Sequence, residues 1–169
     1  MAWGKLASTT STVTSDEVST GTITESKFIT IMYHVIKSGT ANTRWRFNND
    51  TGSNYAARQN GNGGTDGTLT SQTSIYTHAD TSGNAFGHVY IINISTEEKL
   101  CIFNEISSNA AGAGTAPARR EVVAKWTNTS SQITEVDLLN TDTGDFSADT
   151  NISALGSDLT PAAAIPFAE

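Results

Sequence analysis

The stretch of sequence that decides the fold is Thr43-Arg44-Trp45-Arg46-Phe47-Asn48-Asn49-Asp50-Thr51-Gly52-Ser53-Asn54-Tyr55-Ala56-Ala57-Arg58. Its two halves alternate between polar and apolar residues, which is the pattern of a β-strand with one face on a core. Between them lies an Asn/Asp/Gly-rich segment of the kind that forms turns. The stretch therefore predicts a β-hairpin with strands at Thr43–Asn48 and Asn54–Arg58.

The same period of two continues along the chain. Phe28–Lys37 and Phe86–Ile94 are largely apolar on both faces, which favours positions in the middle of a sheet. Ser95–Glu98 is a short link from the second of these to Lys99–Ile106, so those two strands are predicted to pair as a hairpin. Further strands are predicted at Lys5–Thr9, Glu17–Ile23, Gln72–Thr77, Arg119–Thr127, Gln132–Leu139 and Asn151–Leu155.

About ten strands at this spacing predict an all-β, single-domain protein, a sandwich or barrel of antiparallel strands. The 169 residues fit one domain, expected over residues 1–158, followed by a C-terminal arm or tail at 159–169. No segment keeps a helical apolar stripe for three turns, although a short helix in the Ala-rich tail is left open. Residues 61–67 and 109–118 are rich in small residues and are predicted to be loops.

Composition excludes several classes of function. A formal net charge of −7 and scattered Lys and Arg argue against nucleic acid as a partner, since phosphate binding needs a clustered basic surface. No apolar run has the roughly 18 residues of a membrane span, and the N-terminus lacks a signal-peptide pattern. We therefore expect a soluble product made in a host cytoplasm. The single cysteine, Cys101, reads as a small buried side chain.

No constellation of residues points to catalysis or to a cofactor. His34, His78 and His88 lie in no metal-binding spacing, and His34 and His88 are predicted to be hydrogen-bonded interior or interface residues. The strand-borne carboxylates that could serve a small glycan-active enzyme are Glu105, Glu121, Glu135 and Asp137. Asn140–Asp145 faintly resembles a calcium loop but lacks its final glutamate, so a turn is favoured. The prediction is a protein that is not an enzyme and holds no metal.

Aromatic residues leave one binding alternative open. Trp45, Trp126 and Tyr90 fall on or beside predicted strands, where a large ring fills a core or stacks on a sugar. Core packing is favoured for the tryptophans. A carbohydrate-binding module that reads host-surface glycans through these three rings is the alternative.

Two segments are candidates for assembly contacts. Small side chains in the loop at 109–118 allow close approach of another surface, although a linker between strands is the plainer interpretation. The tail at 159–169 ends in apolar residues that could reach a neighbouring subunit, and a frayed end is the alternative. The candidate contacts are Ala111, Gly112, Gly114, Arg119, Arg120, Ile165 and Phe167, with the two arginines pairing with acidic neighbours.

Three groups of residues carry a resemblance. They are Trp3-Gly4-Lys5-Leu6-Ala7-Ser8-Thr9-Thr10, then Arg46-Phe47-Asn48-Asn49-Asp50-Thr51-Gly52-Ser53-Asn54-Tyr55, and last Ile133-Thr134-Glu135-Val136-Asp137-Leu138-Leu139-Asn140 with Gly144-Asp145-Phe146 and Ala154-Leu155-Gly156. Over nearly the whole chain they resemble small virion proteins of tailed viruses that infect aquatic, especially marine, bacteria and archaea. These motifs are structural and carry over no functional residue.

The resemblance implies a jelly-roll or related β-sandwich module that decorates a capsid or forms a head or tail appendage, often as a trimer. The expected partners are the major capsid protein or other virion proteins, and the expected location is the exterior of the particle. The expected function is that of a capsid decoration protein, also termed a cement protein, which makes contacts across capsomers. Release by host lysis would remove the need for a signal peptide.

Overall fold

The computed structural model describes residues 3–81, 83–108 and 111–159, with the backbone alone at 78–81 and 159. Every regular element in these ranges is a β-strand, which confirms the all-β prediction. None of the described residues forms a helix that could cross a membrane. The strands are β1 Trp3–Thr10, β2 Glu17–Ser19, β3 Ser26–Val35, β4 Lys37–Ser38, β5 Ala41–Phe47, β6 Tyr55–Gly61, β7 Gly67–Gln72, β8 Ile75–Thr81, β9 Ala85–Ile92, β10 Lys99–Ser107, β11 Ala118–Trp126, β12 Val136–Leu139, β13 Asp145–Phe146 and β14 Asn151–Leu159.

The strands form three antiparallel sheets. The large sheet has eight strands in the order β1-β14-β3-β9-β10-β11-β6-β7, and the small sheet has four in the order β2-β12-β5-β8. Strands β13 and β4 make a two-stranded ribbon. These strand orders do not confirm a jelly roll, which has two Greek keys over eight strands.

The large and small sheets pack face to face. Trp45 on β5 of the small sheet contacts Tyr33 on β3 and Phe103 on β10, with ring centroids 4.7 and 5.9 Å apart. Buried apolar side chains of both sheets and of the ribbon belong to one hydrophobic cluster. The arrangement is that of a β-sandwich, in which alternate residues of each strand fill the space between two sheets.

Two sequence predictions about the large sheet are confirmed. Strands β9 and β10 pair as a hairpin through a short turn, with Ile92 opposite Leu100. Counted from the β1 edge, β3 is the third strand and β9 is the fourth, so both are interior strands of the sheet. Cys101 is 2% exposed and burial raises the pKa of its thiol, as its apolar setting predicted.

The predicted hairpin at residues 43–58 is wrong. Its two strands exist, but β5 pairs with β12 and β8 in the small sheet, whereas β6 pairs with β11 and β7 in the large one. The turn between them is a corner that carries the chain from one sheet to the other. Asn48 and Asn49 both adopt positive φ, at 50° and 55°, a conformation that asparagine tolerates better than most residues.

Hydrogen bonds to Asp50 hold this corner. Its carboxylate accepts from the Gly52 amide at 2.8 Å, from Asn54 Nδ2 at 2.9 Å and from Trp126 Nε1 at 2.7 Å. Burial would raise the pKa of Asp50, but the bonds from Trp126, Asn54 and Gly52 outweigh it and lower the pKa below its ordinary value. Because Trp126 ends β11, the corner is tied to the large sheet.

The hydroxyl of Tyr55 closes the corner from the inside. It accepts from the Phe47 amide at 3.0 Å and lies 3.3 and 3.2 Å from the carbonyl oxygens of Phe47 and Asp50. The Tyr55 ring also stacks on Trp126, with centroids 6.4 Å apart and planes 16° apart. The last residue of β5 is therefore bonded to the first residue of β6.

The remaining differences from the sequence predictions are local. Strand β7 was not predicted, and its first residue, Gly67, is the last residue of a predicted loop. The strand predicted at 72–77 spans the end of β7 and the start of β8, and the two-residue strands β4 and β13 were not predicted. The predicted strands at 17–23 and 132–139 shorten to β2 and β12. The possible helix in the tail lies outside the described residues.

We predict that Tyr55→Phe lowers the free energy of unfolding by about 1–3 kcal/mol, because the buried Phe47 amide loses its hydrogen-bond acceptor. Tyr90→Phe is the matched control, since Tyr90 is 51% exposed, and its expected change is within about 0.5 kcal/mol. Urea denaturation measures both variants. Equal stability of the two would contradict a structural role for the Tyr55 hydroxyl.

Candidate functional site

The candidate functional site is the outer face of the large sheet, the face that points away from the small sheet. Successive side chains of a strand point to opposite sides of its sheet. On β9 and β10 the side chains of Val89, Ile91 and Phe103 point inward and are buried. Their sequence neighbours must therefore point outward.

The strand register arranges the outward residues in four rows. Each row crosses β3, β9, β10 and β11 in that order. The rows are Phe28, Ile92, Leu100 and Lys125; Thr30, Tyr90, Ile102 and Val123; Met32, His88, Asn104 and Glu121; and His34, Phe86, Ile106 and Arg119.

The outer face collects the exposed apolar residues of the protein. Nine large apolar side chains are exposed among the described residues, and eight of them lie on this face; the ninth is Val13. The eight are Trp3, Met32, Phe86, Tyr90, Leu100, Ile102, Ile106 and Val123, each between 46% and 55% exposed. A groove of about 400 Å³ separates Trp3 and Phe28 from Leu100 and Ile102.

Strand β10 reverses the usual distribution of polar and apolar residues. Its two charged residues, Lys99 and Glu105, point inward and are 0% and 2% exposed, whereas Leu100, Ile102 and Ile106 point outward. A sheet with one solvated face normally places apolar residues inward and polar residues outward. The reversed pattern makes the outer face the candidate surface for contact with a partner.

Both inward charged side chains of β10 make hydrogen bonds with neighbouring groups. Lys99 Nζ donates to the carbonyl oxygens of Ser95, Glu97 and Asn128 at 3.2, 2.8 and 2.7 Å, and burial lowers its pKa. The Tyr33 hydroxyl donates to Glu105 Oε2 at 2.8 Å. These contacts fix the strand with its aliphatic residues outward.

Four ion pairs form a rim around the apolar centre of the outer face. Their charged atoms are 2.7–3.9 Å apart, and each partner is exposed to solvent. Every pair joins one cation to one anion, so the four pairs together carry no net charge. The pairs are Lys27–Asp158, Arg58–Asp66, Arg119–Glu121 and Lys125–Glu98.

The structure separates the predicted sugar-stacking residues. Trp45 and Trp126 are 0% and 1% exposed, so their rings fill the core and present no face to a ligand. The stacking role predicted for them is wrong for that reason, and the core interpretation is confirmed. Tyr90 alone is accessible, on the outer face, where it packs against His88 with ring centroids 5.0 Å apart.

The predicted assembly contacts also divide. Residues 111–117, with Ala111, Gly112 and Gly114, form an exposed loop, and Gly112 adopts φ 89°. Arg119 lies on the outer face and pairs with Glu121 of the same strand. Arg120 is half-buried, donates to Gln59 Oε1 at 3.3 Å and lies over the Tyr76 ring. Ile165 and Phe167 lie outside the described residues.

Among the described side chains, His34, His88 and the predicted turn form no metal cluster. His34 and His88 both lie on the outer face, and His88 Nε2 is 3.4 Å from Asn104 Nδ2. In the Asn140–Asp145 turn, Asn140 Nδ2 donates to Asp16 Oδ1 at 2.8 Å and Asn140 Oδ1 accepts from the Asp142 amide at 3.1 Å. Within the described side chains, no three His, Cys, Asp or Glu residues are placed to bind one ion.

The four candidate carboxylates lie in different surroundings. Glu105 is in the core and Glu121 is on the outer face. Glu135 accepts hydrogen bonds from Ser19 and Asn49 beside the small sheet. Asp137 on β12 is 0% exposed, and neither of its oxygens has a hydrogen-bond partner within 3.5 Å among the described residues.

Sequence reasoning did not single out the residues at the centre of the outer face, such as Leu100, Ile102 and Val123. The available signal was the presence of apolar residues on both faces of Phe28–Lys37 and Phe86–Ile94. That pattern was interpreted as a central position in the sheet. It also indicates a second apolar face, which the structure leaves uncovered.

Comparison with known proteins adds no relative. No protein-family model, no curated protein and no solved structure matches this chain. The outer face is therefore the structural feature that points to a function, and the resemblance described above stays a prediction.

We predict that Asp137→Asn raises the free energy of unfolding at pH 7.5 by about 1–2 kcal/mol, after allowance for solvent screening. Burial, aided by Glu135 and Glu17 and opposed by Ser19 and Arg46, raises the pKa of Asp137 from 3.8 to about 6. The folded state therefore favours the protonated acid. The raised pKa leaves the free energy of unfolding unchanged below pH 4 and lowers it as the pH rises through 6.

The gain from Asp137→Asn should accordingly shrink to nearly zero at pH 4. Chemical denaturation across this pH range measures it, and Glu25→Gln, at an exposed carboxylate, is the control. A gain that does not depend on pH would contradict the assignment to Asp137.

Proposed function

We propose that this chain is a non-enzymatic structural protein of a virus particle, a capsid decoration protein that stabilises the particle by contacts across capsomers. The observation that supports the proposal is the outer face, an apolar centre inside a polar rim. This distribution is the anatomy of a protein–protein interface. Its eight half-exposed side chains present on the order of 700 Å² of apolar surface, since a large side chain has about 150–250 Å² to bury.

A patch of this size favours a function in assembly. The largest apolar patch on a typical monomer covers roughly 300–600 Å², and larger patches mark interaction sites. The resemblance to virion proteins supplies the context, with the major capsid protein and other virion proteins as partners on the particle exterior. A jelly-roll topology is part of the same proposal.

The surroundings of Tyr90 favour a protein partner over a host glycan. Sugar recognition requires several polar groups that converge beside an aromatic ring. The cross-strand neighbours of Tyr90 are Thr30 and Ile102, Ile92 is two residues along the same strand, and His88 is the polar ring that packs against it. With Trp45 and Trp126 in the core, the accessible aromatic surface lies mainly among aliphatic side chains.

We predict that Ile102→Asp lowers the number of copies retained on particles that encode this chain by at least tenfold. A carboxylate at the centre of a covered apolar face must be desolvated without a partner, which costs several kcal/mol. Co-sedimentation of purified protein with particles stripped of it gives the occupancy.

Val13→Asp is the matched control. Val13 is 64% exposed and lies outside the outer face, so the same change in charge there should leave occupancy unaltered. Equal retention of the two variants would count against the outer face. Failure of the wild-type chain to bind any particle component would contradict the proposed function itself.

A further inference from the structure

We propose that the partner which covers the outer face is a second copy of this chain, packed sheet against sheet as a two-fold pair. The inference rests on the proposed function, which assigns the outer face to assembly, and it adds which partner covers that face. Copies held on adjacent capsomers would then be joined through their large sheets. Three properties of the face support a second copy.

The first property is area. A specific protein interface buries about 800 Å² on each partner. The exposed apolar side chains of the outer face supply on the order of 700 Å² before the rim is counted. Two such faces therefore match the area of a stable pair without any contribution from other surfaces.

The second property is charge. The chain has a formal net charge of −7, which opposes contact between copies through most of its surface. The four rim pairs contribute no net charge, and the two rows through Leu100 and Ile102 are mainly apolar. A strongly charged partner would meet no matching excess of opposite charge among these ion pairs. A second copy would present the same apolar rows and the same neutral ion pairs.

The third property is shape. The core of the sandwich already consists of two antiparallel sheets packed on each other, and sheet faces pack about 10 Å apart with strands near −30°. The outer face offers the same kinds of side chain, including Ile102, Val123 and Tyr90, in regular rows. An isologous contact between identical faces closes at two copies. The pair is thus an alternative to the trimer that the resemblance implies.

Sedimentation velocity of the purified full chain, without any particle, tests the pair. We expect a mass of twice 17.8 kDa at micromolar concentration. Ile102→Asp should sediment as one chain, and Val13→Asp should sediment as the wild type. Ile102→Thr keeps a β-branched side chain at the same position and should weaken the pair at least tenfold, which covers the case in which the aspartate variant does not fold.

A second measurement locates the interface on the outer face. Trp3 is 46% exposed beside the groove, whereas Trp45 and Trp126 are buried in the core. Acrylamide quenching of tryptophan fluorescence should therefore fall as concentration rises and the pair forms. In Trp3→Phe the concentration dependence should disappear, since the remaining two rings are buried in either state.

The outcomes separate the two proposals. A wild-type chain that stays monomeric at 100 µM, a trimer, or a pair that Ile102→Asp does not dissociate would each overturn the two-fold pair. If such a chain still binds particles through the outer face, the proposed function stands. A pair that forms as described but binds no particle component leaves the inference intact and contradicts the virion function.

Discussion

Strand alternation is the constraint on which the structure depends. Each residue of β10 that packs against the small sheet leaves its neighbours on the opposite side of the large sheet. Phe103 and Cys101 fill the core, so Leu100 and Ile102 must point outward. A register shift of one residue would exchange the two sets and place Lys99 and Glu105 outside. The contacts of those two charged residues inside the sandwich oppose such a shift, and they thereby hold the apolar face outward.

The corner at Asn48–Tyr55 decides which strands belong to which sheet. Without it, β5 and β6 would be neighbours in one sheet, and the small sheet would lose Trp45 from the centre of its inner face. Trp126 is bonded to Asp50 and stacked on Tyr55, so the corner and the end of β11 form one unit. The corner therefore couples the packing between the sheets to the strand that carries Val123 and Arg119 on the outer face.

The sequence predicted what local chemistry determines. The β9–β10 hairpin follows from a short polar turn between two apolar strands. The burial of Trp45 follows from its place in an alternating strand, and that of Cys101 from its apolar neighbours. The corner could not be predicted in the same way, because the same Asn/Asp/Gly residues serve a hairpin and a change of sheet. The difference lies in the bond from Trp126, which is 76 residues from Asp50. The exposure of Ile102 also depends on the distant strands that cover the other side of its sheet.

In the proposed pair, net charge and the outer face act together to make association selective. Each rim pair has no net charge, so the formal charge of −7 belongs to residues outside those pairs. Repulsion then disfavours contact through the acidic remainder of the surface, while the apolar rows remain free to pack. An apolar patch on an uncharged protein would permit many orientations and favour aggregation. On this chain, one orientation buries the apolar residues and keeps the like charges apart, which is the condition for a defined assembly.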